Sequence, residues 1–518
     1  MNKAGKEAVP TKAESSSYGQ ILKSSSIMGG AAGFELLLGM VRVKFAAVLI
    51  GTMGVGLIAS YNALQGVVGT IAGLGLRSSA VRDISLAVSR QDHETVARKV
   101  KTLKRLCWFT GLAGLLTMIL LAPWLGQITF GHQEYTTDIA ALGAVVLMMN
   151  LAGGQMAIIQ GMRRISTLAK VNVCSAIFGT ACAVVCYTFL GLRGIVPTLV
   201  AVAASQFLIS WYFARNLHVN KVQLSWAATF TEGNQMVRLG MVLMVSSLMT
   251  TTVSFVTIAL VTRQEGIDAA GIYSAAFALS GLFVGFVLNA MGADYYPRLT
   301  ACVDNHVNMR RLVNEQTEIG LLLAAPGLLG TVAMAPWVIQ LFYTDAFLGS
   351  VPLIHWFILG CFGKVVSWPL GFVMLALGKG RWYLFTEITA NLLHVGLITI
   401  GLHFLGLQGV AIAMPLMYVS YTLLVFAVAW WLIGFKWNCS TFGLLLFLLV
   451  ALATTIFVCK ILPLPQATVA GLLICLSCSV YCLRGVLLRL GSSHRWVLQL
   501  RSRSISRIVL NTLLYKSL

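Results

Sequence analysis

Apolar residues run along this chain in blocks of twenty or more, broken by short polar segments. A helix needs about 20 apolar residues to cross the hydrocarbon core of a bilayer, and on that basis the blocks predict fourteen spans. Six lie near 23–50, 56–80, 104–126, 136–160, 167–190 and 194–215. Six more follow near 239–262, 271–293, 316–343, 350–377, 382–404 and 409–433, and two, near 441–462 and 466–488, close the series. The expected fold class is an all-α membrane protein of about 14 transmembrane helices.

Composition leads to the same place. Of 518 residues, 58% are hydrophobic and 10% charged, whereas soluble domains carry about 25% charged residues. Too few charges are present to coat a water-facing surface, so the solvent is mostly lipid. The first twenty residues are polar, with Lys3, Lys6 and Lys12, and the apolar stretch behind them is long enough to span and remain rather than be cleaved. The eleven cysteines lie almost wholly inside apolar spans, where Cys behaves as a small hydrophobe, and form no disulfide framework.

A net charge of +20 on a soluble chain would suggest a nucleic-acid binder. Here its distribution says otherwise. The connection after the second span carries Arg90, Arg98, Lys99, Lys101, Lys104 and Arg105; the one after the fourth has Arg163, Arg164 and Lys170. Later even-numbered connections hold Arg215, Lys221 and Arg238, then Arg298, Arg310 and Arg311, then Lys379 and Arg381, then Lys436. Odd-numbered connections have only Arg193, Arg263 and Lys460. Positive loops stay in the cytoplasm, which places both termini on that side of a bacterial inner membrane.

The chain also repeats. Ala63-Leu64-Gln65-Gly66 reappears as Ala278-Leu279-Ser280-Gly281, and Phe189-Leu190-Gly191-Leu192 as Phe404-Leu405-Gly406-Leu407, each 215 residues later. Ala122-Pro123-Trp124 returns as Ala335-Pro336-Trp337 after 213. An offset of six spans gives both copies the same orientation, related by an axis along the membrane normal. The expected organisation is a cytoplasmic N-terminus over 1–22, six-helix bundles over 23–217 and 236–433 around a central cleft, two extra helices over 439–490, and a basic tail over 491–518. That tail reads as an amphipathic helix on anionic lipid. Two facing bundles are the architecture of an alternating-access transporter.

The run from Ala270-Gly271-Ile272-Tyr273 to Ser280-Gly281, continued by Met291-Gly292-Ala293-Asp294-Tyr295-Tyr296-Pro297-Arg298-Leu299, resembles the bacterial polysaccharide (O-antigen type) flippases. So does Leu74-Gly75-Leu76-Arg77-Ser78-Ser79-Ala80-Val81-Arg82-Asp83-Ile84. These belong to the multidrug/oligosaccharidyl-lipid/polysaccharide exporter superfamily, and the likeness covers most of residues 20–435. It implies translocation of undecaprenyl-diphosphate-linked saccharide repeat units from the cytoplasmic to the periplasmic leaflet, alongside other polysaccharide assembly proteins. Fourteen spans also fit that branch. A lipid II flippase, or a cation-coupled multidrug exporter of the same superfamily, is the alternative. The sugars stay unnamed: O-antigen, capsule, enterobacterial common antigen and exopolysaccharide units all fit.

A sugar diphosphate loses its hydration in hydrocarbon, so polar and cationic residues inside spans are the candidates for replacing it. Span one holds Glu35, Arg42 and Lys44; Glu35 and Arg42 stand seven apart on nearly one face, with Gly39 between them. They suit a substrate cavity, and equally a structural pair with Lys44 reaching for the interface. Lys364, near the middle of span ten, is a cavity cation or one half of a buried pair. Glu387, Asn391 and His394 make one polar stripe on span eleven, suited to sugar hydroxyls, to proton relay or to interhelical hydrogen bonds. Arg77 and Arg82, with Asp83, close span two, where they either guide an anionic head group inward or anchor the helix. Asn150, Gln155, Gln160 and Asn289 read as packing groups, and Glu315 and Glu318 as water-facing residues of a helix start.

No enzyme chemistry is indicated. The carboxylates are not gathered on a large extramembrane loop, as glycosyl transfer requires, and no Walker A or HExxH pattern is present. Cys475, Cys478 and Cys482 share a helix face but lack a fourth metal ligand nearby. Gly51-Thr52-Met53-Gly54-Val55-Gly56 is a tight connection between helices, with no strand before it to make a nucleotide site. No cofactor is implied; an H+ or Na+ gradient is the coupling source such a cycle would use.

Overall fold

A computed structural model of the chain describes residues 12–217, 219–220 and 222–490, with side chains from Ile27 onward except those of Ala293 and Leu490. The first eleven residues and the basic tail expected over 491–518 lie outside the described residues. Among those described, every regular element is helical: α1 (Lys12–Gly73), α2 (Leu76–Ser89), α3 (His93–Phe130), α4 (Thr136–Gly161), α5 (Ile165–Leu190), α6 (Ile195–Arg215), α7 (Trp226–Glu265) and α8 (Ile267–Thr300) come first. Then follow α9 (His306–Phe342), α10 (Ser350–Ala376), α11 (Gly380–Leu405), α12 (Leu407–Ile433), α13 (Cys439–Ile461) and α14 (Leu464–Leu490).

Among the described residues, twelve stretches are long and apolar enough to cross a membrane. Two of them, Ile27–Gly73 with 47 residues and Ile165–Arg215 with 51, would each be about 70 Å long as one helix, over twice the hydrocarbon thickness. Each is broken near its middle, by Gly51 (φ 64°, ψ −164°) in α1 and by a 3-10 turn at Gly191–Gly194 between α5 and α6. Each therefore makes two crossings, giving the fourteen that the apolar blocks predict.

Neighbours fix the direction of the two limbs of α1. Met28 packs beside Leu168 and Val171 at the start of α5, and Arg42 lies within electrostatic reach of Tyr187 near its end. The first limb therefore runs parallel to α5. Beyond Gly51, the Tyr61 hydroxyl donates to Asp138 (2.7 Å) at the start of α4, and its ring meets Phe130 edge-on at the end of α3. The second limb accordingly runs with α4, whose far end, at Met156 and Ile159, packs on the start of α5. The chain reverses at Gly51.

Backbone conformation carries the repeat further than the matched tetrapeptides. Gly191 (φ 54°, ψ −131°) and Gly406 (φ 57°, ψ −143°) end α5 and α11 in a region open only to glycine, and each amide donates to the carbonyl four residues back. Gly51 and Gly266 (φ 95°, ψ 169°) stand 215 apart, so the break within α1 answers to the junction of α7 with α8. Arg163 (φ 56°) and Gly378 (φ 67°), again 215 apart, turn the chain after α4 and α10. Asp92 and Asn305, 213 apart, cap α3 and α9 through bonds to the amides of Thr95 (2.9 Å) and Asn308 (3.0 Å). The Thr95 hydroxyl and amide hold the Asp92 carboxyl below the ordinary carboxylate range.

The chain divides into two compact units between Arg263 and Gln264. The core of the first gathers Leu76, Ile84, Leu103, Ile158 and Met236. In the second, Tyr295, Val313, Leu370, Val425 and Phe435 form the corresponding centre, with the Tyr295 hydroxyl bonded to the Pro369 carbonyl (2.9 Å).

Two expectations are corrected. The second span does not run on to residue 80: Leu74 (φ 46°) and Gly75 (φ 63°) both take the left-handed conformation and end it, and the Arg77 segment starts the separate helix α2. Glu318 does not face water either. It is buried in α9, accepts from Thr441 of α13 (2.7 Å), and pairs with Arg489 of α14 (2.5 Å). One turn earlier Asn314 grips the Lys436 carbonyl (3.2 Å) and the Asn438 amide (3.0 Å), and Arg310 reaches the Gly434 carbonyl (3.3 Å). These residues recur every four positions, so one face of α9 holds the chain leaving α12.

The first unit uses the same device with cations. Arg98 pairs with Glu232 (2.6 Å), Lys101 donates to the Val222 carbonyl (2.6 Å), and Arg105 donates to the Leu224 carbonyl (3.0 Å) and Thr229 (2.6 Å) under the Trp226 ring. Charges that the loop count assigns to topology alone thus also fasten the start of α7. Removing one partner of the buried pair leaves the other charge uncompensated. Glu318→Ala is expected to cost about 2 kcal/mol, since Arg489 is one-third exposed, read as thermal unfolding of the purified protein. Glu318→Leu combined with Arg489→Leu recovers most of that loss; a double variant no more stable than the single one contradicts the pairing.

Candidate functional site

The end of α1, read upward, makes a cavity. From Asn62 to Gly73 the second limb presents Gly66, Gly69 and Gly73 along one face, and the break at Leu74–Gly75 turns the chain into α2. With Gly153 and Gly154 of α4 and the Leu243–Ser247 segment of α7, these surround about 620 Å³ within the first unit. A Cβ added at Gly69, Gly73 or Gly153 would meet nothing within 4 Å, so bare backbone borders open space there.

Its polar lining is mostly uncharged. Asn62, Gln65, Asn150, Ser78 and Ser247 contribute amides and hydroxyls, and Arg77 is the one ionised residue among the described lining. Asn150 is steadied by a bond to Thr110 (2.8 Å), whereas the Gln65 Nε2 is buried with no hydrogen-bond partner. Arg77 and Ser78 occupy the first turn of α2, whose start has no side-chain cap. Uncapped amides at a helix start, together with a guanidinium, favour a bound anion.

Both arginines expected at the head-group approach are exposed; Arg77 lines this cavity, whereas Arg82 stands further along α2 outside the lining. Asp83 beside it faces Lys99 at 3.9 Å. Glu35, Arg42 and Lys44 lie on the first limb of α1 and outside this lining. Glu35 is exposed, the two cations are half-buried, and among the described residues no ion pair joins Glu35 to Arg42.

In the second unit the structure brings Lys364 and Glu387 into one neighbourhood. Lys364 is half-buried on α10 and acts electrostatically on Cys361 one turn away. Tyr418 of α12, packed on Gly363, lies within electrostatic reach of both Cys361 and Glu387. The Tyr421 hydroxyl donates to the Glu387 carboxylate (2.7 Å), tying α12 to α11. Asn391 stands one turn on and donates to the Glu387 main-chain carbonyl (2.7 Å), and His394 is half-buried beyond it. The three stand on one helix, and the Asn391 amide serves that helix.

Sequence reasoning missed Gln65, which it used only as a repeat marker, and the tyrosine pair. The signal for the tyrosines was present, since two phenols three residues apart in an apolar span need partners. Gln65 gave none, because an amide in a span is more often interhelical glue.

This helical architecture, with its duplicated register, is that of the transporters of the multidrug/oligosaccharidyl-lipid/polysaccharide superfamily. A solved inward-facing multidrug resistance MATE family transporter of that superfamily matches with a TM-score of 0.64 and 16% identity over 77% of this chain and 94% of its own. The lipid II flippase MurJ in an inward closed conformation matches with a TM-score of 0.64 and 15% identity over 89% and 99%. Among characterised relatives, the lipid III flippase of Escherichia coli (strain K12) is 22% identical over 360 residues, covering 68% of this chain and 84% of that protein. The chain belongs to the family described as polysaccharide biosynthesis protein, which matches residues 47–352.

The Tyr421–Glu387 bond offers a direct check on the second-unit cluster. Tyr421→Phe leaves a part-buried carboxylate without its donor and is expected to cost about 1–3 kcal/mol. In a double-mutant cycle with Glu387→Leu, followed by thermal unfolding, the paired variant loses clearly less than the sum of the single ones. Strict additivity would mean that the two groups do not interact.

Proposed function

We propose that this protein is a flippase, carrying undecaprenyl-diphosphate-linked saccharide repeat units from the cytoplasmic to the periplasmic leaflet of a bacterial inner membrane for surface polysaccharide synthesis. Membership of the polysaccharide biosynthesis protein family supports the polysaccharide role, and likeness to lipid II and lipid III flippases supports a lipid-linked substrate. The observation that carries the reading is the cavity of the first unit: one cation at an uncapped helix start, with neutral amides and hydroxyls beyond it.

The physical task is to replace water. A diphosphate entering hydrocarbon bare faces a cost of tens of kcal/mol in the idealised limit. Arg77 and the amide groups of α2 meet its charge, the carboxamides meet sugar oxygens, and the polyprenyl chain stays in lipid. No covalent bond changes. Both termini lie in the cytoplasm on this reading, because the even-numbered connections carry the positive charge. Moving one charge through 100 mV is worth about 2.3 kcal/mol, so the membrane potential bears on the cycle. Glu35 on α1 and Glu387 on α11 are the carboxylates within spans through which H+ or Na+ would couple.

A cation-coupled drug exporter is the second reading. It fits the cavity less well, because organic cations call for a carboxylate and none lines it among the described residues.

Deletion of the protein is expected to trap a lipid-linked saccharide on the cytoplasmic leaflet, identified by mass spectrometry of the lipid pool. Arg77→Gln, at normal protein abundance, lowers export by roughly the 10- to 100-fold expected for losing a charged hydrogen bond of about 1.5–3 kcal/mol; Arg77→Lys retains more. An unaltered lipid pool on deletion would rule the reading out. Parental export by Arg77→Gln would remove that residue from the mechanism.

A further inference from the structure

The first unit's cavity is chemically lopsided. Its one ionised lining residue, Arg77, sits at the α2 end, while the carboxamides of Asn62, Gln65 and Asn150 occupy the rest, and among the described residues no carboxylate lines it. Gln65 stands eight residues before Gly73, about 12 Å along the helix axis, so cation and amides are set apart along the second limb.

Two of the amides are poised differently. Asn150 already gives its Nδ2 to Thr110 (2.8 Å), which fixes the side chain. The Gln65 Nε2 is buried and donates to nothing. A buried donor without an acceptor is a standing free-energy cost that a bound acceptor removes. On the same lining as Gln65, the backbone at Gly69 and Gly153 faces open volume.

Resting on the flippase reading above, we propose that this cavity recognises the saccharide as an uncharged chain rich in hydroxyl and acetamido groups, with Gln65 donating to a sugar oxygen. Carboxamides both donate and accept, which matches hydroxyl and acetamido groups alike. A sugar bearing an ammonium group finds no carboxylate in the cavity, and one bearing a further anion competes with the diphosphate for Arg77. Gln65 is thus a specificity-determining residue, placed by the same limb whose end presents Arg77.

The test measures binding to the full-length protein in detergent. The probes are undecaprenyl diphosphate, the same lipid bearing a trisaccharide of N-acetylhexosamines, and that trisaccharide with one acetyl group removed to leave an amine. Gln65→Leu is expected to weaken the acetylated trisaccharide lipid about tenfold and to leave bare undecaprenyl diphosphate unchanged. Asn62→Leu, at an exposed position that leaves the fold intact, shifts affinity the same way by a few-fold. The amine probe binds the parent protein about tenfold more weakly than its acetylated form.

If the parent binds both lipids and the two variants treat the trisaccharide as the parent does, the saccharide assignment is overturned while the flippase reading stands. Equal affinity for the amine and acetylated probes overturns it too. Should the parent bind none of the three lipids, the flippase reading itself falls, and this inference with it.

Discussion

In hydrocarbon no water is present to satisfy a polar group, so every amide, carbonyl and charge must find its partner inside the protein. Each departure from plain helix in this molecule answers to that constraint. The breaks at Gly51, Gly191, Gly266 and Gly406 occur where glycine alone takes the conformation, at junctions that end one crossing and begin the next. Glu318 inside the bundle is paired with Arg489, and Arg77 borders a polar cavity. The Gln65 amide lacks such a partner, and it marks the place where the proposed guest would complete the accounting.

Much of the fold was legible because hydrophobic run length is a strong signal and positive loops check its parity. The 215-residue repeat was legible too, although the tetrapeptides that betray it are not its substance. What the two copies share is backbone: left-handed turns at Arg163 and Gly378 have unrelated side chains yet the same geometry. A sequence match sees Gly191 and Gly406 because glycine is needed there, and passes over Arg163 because arginine tolerates its conformation at a modest cost.

Site residues were less legible, for a reason of distance. Glu318 stands 171 residues from Arg489 and 123 from Thr441, so local sequence offers only a carboxylate near a helix start. The expectation of a water-facing residue followed from that neighbourhood and failed because α13 and α14 cover it. Arg77 had the opposite fate. A cation at the end of a span usually anchors it, but the left-handed pair Leu74–Gly75 ends the helix early and delivers Arg77 to the cavity. Neither outcome is encoded within a few residues of the side chain concerned.

Arg105 and Glu318 occupy the same place in the two copies, 213 positions apart, and carry opposite charge. A duplicated protein faces a sorting problem, since the segment leaving α6 and the one leaving α12 present themselves to similar helices while the chain assembles. Were the α14 segment to meet α3, Arg489 would face Arg105 in a poorly solvated seam, and like charges there repel. The third helix of each half thus holds its neighbouring segment with an opposite charge, a cation reaching carbonyl oxygens in one and a carboxylate meeting a cation in the other.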